Sequence, residues 1–294
     1  DDGQFFGLSP RHDNDNRQPA TSNARAHRRP RAAPSMISIK PFLFSAVVAS
    51  HRRTFLPPAA AMSTSTSASN RSCDGGGKSA VVFLHGLGDT PAGWSSLEDQ
   101  LPSLRKNLGK DVHYVFPPAP TIGLTINGGM EMPGWFDLYD WPIGIGAKDD
   151  KDGKVAAARQ IEDAVEKLEK EMGIPPSRVV VGGFSQGGAV ALIAAYHRRR
   201  GKVPFAGCVC LSGWLTLKDE LTVSDDVAKA TPLFWGHGQW DDKVLFEQQA
   251  HGAAKLRDLG VDVTDRSYPM GHSSHPQEVE AMAEFVERAL FPSK

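Results

Sequence analysis

The chain has 294 residues, of which 40% are hydrophobic, and it carries a formal net charge of −1 with three cysteines. This length allows one large domain or two small ones, and the balanced charge, with no basic face in the C-terminal three quarters, argues against a nucleic-acid-binding protein. The cysteines are too few and too irregularly spaced for a disulfide scaffold or a zinc centre, so we expect no metal and no cofactor.

Residues 1–75 form the first segment and do not resemble a folded domain. Between Asn16 and Cys73 there is no Asp or Glu, while Arg, Ser, Ala and Pro are frequent. This composition predicts a disordered segment or a plastid or mitochondrial targeting segment. Because the sequence begins with Asp1, an alternative is that translation starts at Met62 and no targeting signal exists. The expected location is then the cytoplasm. No apolar run in the sequence is long enough to span a membrane.

From about residue 76 onward, short apolar runs alternate with helical patterns. Runs without polar alternation are typical of strands buried on both faces of a parallel sheet. We predict strands at Ala80–Leu84, Val112–Phe116, Val179–Val181, Cys208–Leu211, Leu233–Trp235 and Val261–Tyr268. We predict helices around Ile161–Met172, at Gly187–Tyr196 and Phe246–Leu259, and from Pro276 onward. Residues 76–294 are therefore predicted to form one α/β domain, a doubly wound, mostly parallel sheet with helices on both faces.

The third predicted strand leads into the pentapeptide Gly183-Phe184-Ser185-Gln186-Gly187, which matches the G-x-S-x-G nucleophile elbow. Such an elbow is a sharp strand-to-helix turn that projects a serine hydroxyl at the carboxyl end of the sheet. Glycines on both sides are needed because side chains there would collide. We therefore predict Ser185 as a nucleophile rather than as part of an ordinary turn.

A serine hydroxyl needs a base and an orienting acid, which in this kind of fold follow the serine in the order acid, then histidine. His272 lies in the loop after the last predicted strand and is the expected base, whereas neighbouring His275 is expected to be an ordinary loop residue. Asp241 and Asp242 both follow a buried strand. We predict that Asp241 orients His272 and that Asp242 caps the following helix.

A serine hydrolase also needs two backbone donors for the developing oxyanion. The N–H of Gln186, directly after the nucleophile, is one candidate. The glycine-rich loop after the first strand supplies the other, for which we choose the N–H of Leu87. In that loop His85 is expected to be buried and to shape the loop, and Asp89 to tie it by hydrogen bonds.

Taken together, these residues resemble the acyl-protein thioesterase and small carboxylesterase family. The resemblance runs from about Lys78 to Phe291 and rests on HGLGDT at 85–90, MPGWFD at 132–137, GGFSQGG at 182–188, SGW at 212–214, HGQWDDKV at 237–244 and GHSSHPQE at 271–278. It implies an α/β-hydrolase with the triad Ser185, Asp241 and His272 and the oxyanion hole Leu87 and Gln186. One departure is Asp242, which stands where family members usually have proline.

The resemblance also implies a substrate class. Family members cleave acyl thioesters on palmitoylated proteins, so S-acylated proteins or small acyl esters are the expected partners. The alternatives are a carboxylesterase or lysophospholipase acting on small or lipid esters, and a non-catalytic binding protein with the hydrolase fold. Transient contact with a membrane surface is a further expected interaction, although Arg198–Arg200 is interpreted as a solvated helix end.

An aromatic and methionine-rich stretch follows the second predicted strand. Met130, Met132, Trp135 and Phe136 are candidates for an apolar wall that binds an acyl chain. The alternative is that these side chains only pack their loop onto the sheet. The preceding segment, Thr125–Glu131, is rich in glycine where family members are often more apolar, so acyl-chain length is left open.

Overall fold

The computed structural model describes residues 78–292. The interpretation of residues 1–75 as a disordered or targeting segment therefore lies outside the described residues. Within residues 78–292, no helix combines the length and the apolar character that crossing a membrane requires.

Eight strands and six α-helices alternate along the described chain. The strands are β1 (Ser79–Leu84), β2 (Val112–Val115), β3 (Thr121–Leu124), β4 (Met130–Pro133), β5 (Val179–Phe184), β6 (Gly207–Leu211), β7 (Leu233–Gly238) and β8 (Val263–Tyr268). The helices are α1 (Leu97–Leu104), α2 (Lys151–Met172), α3 (Gln186–Leu192), α4 (Asp225–Ala230), α5 (Glu247–Asp258) and α6 (Pro276–Leu290). A π-helical turn, Ile193–His197, continues α3.

Six of the strands form one sheet in the order β2-β1-β5-β6-β7-β8, and every neighbouring pair is parallel. The predicted doubly wound α/β fold is thus confirmed. The remaining strands, β3 and β4, form a separate antiparallel hairpin that the sequence analysis did not predict. The order of the sheet reverses between β1 and β5, and ligand-binding crevices in such sheets form at the carboxyl ends of the strands at this switch point.

Helices cover both faces of the sheet because its central strands are apolar on both sides. In β1, Ala80 and Val82 belong to a buried cluster that includes residues of α2, α3 and α5. Val81 and Phe83, which point the other way, belong to a second cluster with residues of α1 and α6. This double burial is the reason that the strands read as continuous apolar runs in the sequence.

Candidate active site

Ser185 occupies the turn between β5 and α3, beside the switch point of the sheet. Its backbone has φ 55° and ψ −120°, a strained conformation for a residue with a side chain. The turn closes only because its neighbours are glycines. A Cβ atom at Gly183 would overlap the backbone of Gly187, and a Cβ atom at Gly187 would overlap the carbonyl oxygen of Leu84. The elbow geometry expected from the sequence is therefore present.

His272 reaches this turn from the loop between β8 and α6. Its Nε2 atom lies 2.9 Å from Ser185 Oγ and its Nδ1 atom lies 2.7 Å from Asp241 Oδ2. A carboxylate can only accept, so Nδ1 carries the proton and Nε2 accepts from the serine hydroxyl. The ring of Phe184 packs against the imidazole with centroids 4.8 Å apart. This arrangement allows His272 to take the hydroxyl proton as a general base.

Asp241 lies in the turn that follows β7, and its side chain is fully buried. Oδ1 accepts hydrogen bonds from the backbone N–H groups of Lys243 and Val244, both at 2.9 Å, while Oδ2 accepts from His272. Burial alone would raise the pKa of Asp241, but these hydrogen bonds and the nearby imidazole hold its pKa below the usual value. A buried carboxylate that stays ionised can stabilise a positively charged imidazolium beside it.

Asp242 does not have the role that the sequence analysis assigned to it. Its side chain is 73% exposed and forms an ion pair with Lys243 Nζ at 2.9 Å. The next helix, α5, begins only at Glu247, and its N-cap residue is Phe246, which makes no side-chain cap. The prediction of a capping Asp242 is wrong because the turn after β7 is longer than the sequence suggested and is closed by Asp241 itself.

The two predicted oxyanion donors belong to the adjoining strand ends. The loop after β1 lies against the elbow, since a Cβ atom at Gly86 would be 3.4 Å from Ser185 Cβ. Leu87 is the next residue in this loop, and Gln186 directly follows the serine. Neither backbone N–H donates to a protein acceptor within residues 78–292. Two unpaired donors beside the serine are what an oxyanion hole requires, and their role stays a prediction.

Three hydrogen bonds made by the side chains of Gln186 and Trp135 hold this loop and the elbow together, and none of them was predicted from the sequence. The side-chain amide of Gln186 accepts from Trp135 N at 3.0 Å and donates to Phe136 O at 2.9 Å. The indole N–H of Trp135 donates to His85 O at 2.8 Å. Trp135 thereby connects the loop after β1 to the residue that follows the nucleophile.

His85 itself is buried, as expected from the sequence. Its Nδ1 lies 2.8 Å from Gly86 O, and its Nε2 accepts from Ala119 N at 3.2 Å. Burial lowers the pKa of His85, which favours the neutral ring. These contacts support a role in shaping the loop, and His275 has a similarly local role because its Nδ1 accepts from Gln277 N at the start of α6.

The four candidate acyl-binding residues divide into two pairs. Trp135 and Phe136 are only 2% and 1% exposed and belong to the main core cluster, which supports the packing alternative for both. Met130 is 62% exposed at the start of β4, and Met132 is partly buried on the same strand. The end of β4 is hydrogen-bonded to the loop after β1, since Gly88 N donates to Pro133 O at 2.8 Å. An acyl-binding role for the two methionines stays a prediction.

Within the described part of the chain, no group of three or more His, Cys, Asp or Glu side chains is arranged to hold a metal ion. The two described cysteines, Cys208 and Cys210, are unpaired and buried in β6.

Comparison with known proteins shows which sequence family and which relatives this chain is similar to. The sequence family described as Phospholipase/Carboxylesterase matches residues 72–290. Acyl-protein thioesterase 1 of Neurospora crassa is 36% identical over 217 residues, covering 71% of this chain and 86% of that protein. Acyl-protein thioesterase 1 of Saccharomyces cerevisiae is 34% identical over 219 residues, covering 71% of this chain and 92% of that protein.

Solved structures give the same result. The crystal structure of Zea mays acyl-protein thioesterase 2 matches with a TM-score of 0.62 and 31% identity, covering 74% of this chain and 95% of that one. The crystal structure of Arabidopsis thaliana SOBER1 matches with a TM-score of 0.65 and 27% identity, covering 72% of this chain and 99% of that one.

Proposed function

The chain belongs to the phospholipase/carboxylesterase family of α/β-hydrolases, and we propose that this ester and thioester hydrolase acts through an acyl-enzyme on Ser185 and removes palmitoyl groups from proteins. The observation that carries the proposal is the continuous hydrogen-bonded series from Ser185 Oγ through His272 to Asp241, with distances of 2.9 and 2.7 Å. The proposed catalytic domain is residues 76–294.

The proposed reaction has two halves. Ser185 Oγ attacks the acyl carbonyl carbon while its proton passes to His272 Nε2, and Asp241 stabilises the imidazolium. The N–H groups of Leu87 and Gln186 donate to the oxyanion. The carbon–sulfur bond then breaks and the leaving thiolate takes the proton from His272. Water repeats the sequence on the acyl-enzyme, which releases the fatty acid and restores the serine.

A thioester on a palmitoylated protein is favoured over other substrates by the relatives. Several relatives that match over more than 85% of their own length carry the name acyl-protein thioesterase 1. Because a palmitoyl chain anchors its protein to a membrane, the proposal includes transient contact with a membrane surface. The three cysteines of the chain are too few for a disulfide scaffold, which is consistent with a reducing compartment, and the proposal includes the cytoplasm as the location.

Hydrolysis of small or lipid esters is the second candidate, because the family description names phospholipases and carboxylesterases. The distinguishing experiment is a rate series over acyl chains from acetyl to palmitoyl, in which each thioester is compared with the oxygen ester of the same chain. The Ser185→Ala variant serves as the matched control at every chain length.

We expect the palmitoyl thioester to be cleaved with a kcat/KM at least equal to that of the acetyl ester, and release of palmitate from an S-palmitoylated peptide. A steep fall in kcat/KM with chain length would instead identify a small-ester carboxylesterase. If the Ser185→Ala variant kept the turnover of the unsubstituted protein, Ser185 would not be the nucleophile.

A further inference from the structure

A second histidine lies beside the triad and has no role in the reaction described above. His237, near the end of β7, is completely buried. Its Nε2 atom lies 2.9 Å from the carbonyl oxygen of Val244 and 3.4 Å from Asp241 Oδ2. His237 is thus the second imidazole, after His272, that faces the same carboxylate oxygen.

The contacts of His237 define its protonation. A carbonyl oxygen only accepts, so Nε2 must carry the proton and donate it to Val244 O. Nδ1 is buried and has no hydrogen-bond partner among the residues that the structure describes. A second proton on Nδ1 would be an unsatisfied buried donor. Burial accordingly lowers the pKa of His237, and the ring is neutral with its N–H directed toward Val244 and Asp241.

Val244 joins His237 to the carboxylate by a second route. The N–H of Val244 donates to Asp241 Oδ1 at 2.9 Å, while its carbonyl oxygen accepts from His237. The flanking residues are fixed from the other side, since Ile143 N donates to Lys243 O and Leu245 N donates to Ile143 O. Among residues 78–292, the side-chain donor that reaches this turn from β7 is His237 Nε2.

Resting on the proposed function, we propose that His237 is a positioning residue for the reaction: its Nε2–H holds the turn Asp241–Val244 against β7 and keeps Asp241 Oδ2 directed at His272. The titratable groups that act on His237 are Asp241 on this turn and His272 on the loop after β8. The ring of Phe246 packs against the imidazole from the start of α5, with centroids 6.0 Å apart. His237 does not touch the reacting atoms and acts through Asp241.

The test compares two amides that differ by one methylene. In His237→Gln the side-chain N–H₂ can occupy the position of Nε2, whereas in His237→Asn it reaches only as far as Nδ1 and cannot meet Val244 O. We expect His237→Gln to keep kcat within about threefold and His237→Asn to lose about 10- to 100-fold in kcat, as misplaced catalytic groups typically do, with KM changed less than twofold. His237→Leu, which fills the site without any donor, replaces the asparagine variant if that variant does not fold.

Two readouts separate positioning from a general loss of stability. The first is the pH dependence of kcat/KM. If His237 directs Asp241, the acid limb of this profile should be displaced in His237→Asn and stay in place in His237→Gln. The second is the downfield proton NMR signal of the His272 Nδ1–H bonded to Asp241, which should be present in the unsubstituted protein and in His237→Gln and absent in His237→Asn.

The NMR signal does not depend on turnover, so it keeps the two proposals distinguishable. If the unsubstituted protein shows the signal but no hydrolysis, the proposed function fails, and loss of the signal in His237→Asn still supports positioning. An unchanged signal, or an unchanged pH profile together with unchanged kcat, in a folded asparagine or leucine variant would overturn the role of His237.

Discussion

Glu278, in the first turn of α6, makes the stability of this protein depend on pH. The residue is completely buried, and neither carboxyl oxygen has a hydrogen-bond partner among the described residues. The side chain lies against Gly236 of β7, where a Cβ atom would overlap the carboxyl group. Burial raises the pKa of Glu278 from its usual value of 4.5 to about 8, and outweighs the backbone N–H of His275, which favours the charged form.

The direction of the effect follows from the two pKa values. A carboxyl group that binds its proton more tightly in the folded state contributes full stability below pH 4.5, and this contribution is lost as pH rises through about 8. Each pKa unit corresponds to about 1.4 kcal/mol, so the shift amounts to about 5 kcal/mol in total. Of this, about 4 kcal/mol of the free energy of unfolding should disappear between about pH 5 and pH 9.

The experiment is urea unfolding of the unsubstituted protein and of Glu278→Gln at several pH values across this range. Glutamine has nearly the same shape but no charge to desolvate. The free energy of unfolding of the unsubstituted protein should fall relative to that of Glu278→Gln by several kcal/mol as pH rises, while other titrating groups cancel in the difference. Parallel curves for the two proteins would refute the raised pKa of the buried Glu278 carboxyl group.

Three substitutions in and around the site give further predictions. Ser185→Ala should lower kcat for p-nitrophenyl esters by at least about 1000-fold without lowering the melting temperature, and a kcat within about tenfold of the unsubstituted value would contradict its role. Gly187→Ala places a Cβ atom on the carbonyl oxygen of Leu84, so it should cost about 3 kcal/mol or more in urea unfolding, and an unchanged midpoint would contradict the elbow geometry. Trp135→Phe removes the indole donor to His85 O and should lower kcat about 10-fold at nearly constant KM, whereas a change in KM alone would indicate a substrate contact instead.

Most of the main sheet could be predicted from the sequence because its central strands contain apolar runs bounded by glycine, proline or polar residues. Val179–Val181 and Cys208–Leu211 are examples, and both lie within observed strands. The hairpin could not be predicted in the same way. Its strands have four residues each, Thr121–Leu124 contains a glycine and Met130–Pro133 ends in a proline, so neither shows the composition or alternation of a strand.

The helices also differ in how well their sequences predict them. Long helices such as α2 and α6 have clear apolar periodicity, but α1 has only eight residues and contains Pro102, and α4 has only six residues. Such short elements depend on packing against the sheet rather than on their own sequence. Their positions therefore became apparent only in the folded chain.

At the site, local motifs indicated the residues that the structure brings together, and distant contacts did not show in the sequence. The elbow pentapeptide and the loop around His272 each contain a local pattern. By contrast, Trp135 meets His85 and Gln186 about 50 residues away in either direction, a pairing that only tertiary structure creates. The contact between His237 and Val244 depends likewise on the path of the turn between them.

The central claim is that Ser185 is made reactive by His272. The most direct measurement is to treat the native protein with a fluorophosphonate probe and to map the modified residue by peptide mass spectrometry. We expect a stoichiometric label on Ser185 that is lost in His272→Ala and after heat denaturation. A label on another residue, or no label on a folded protein, would contradict it.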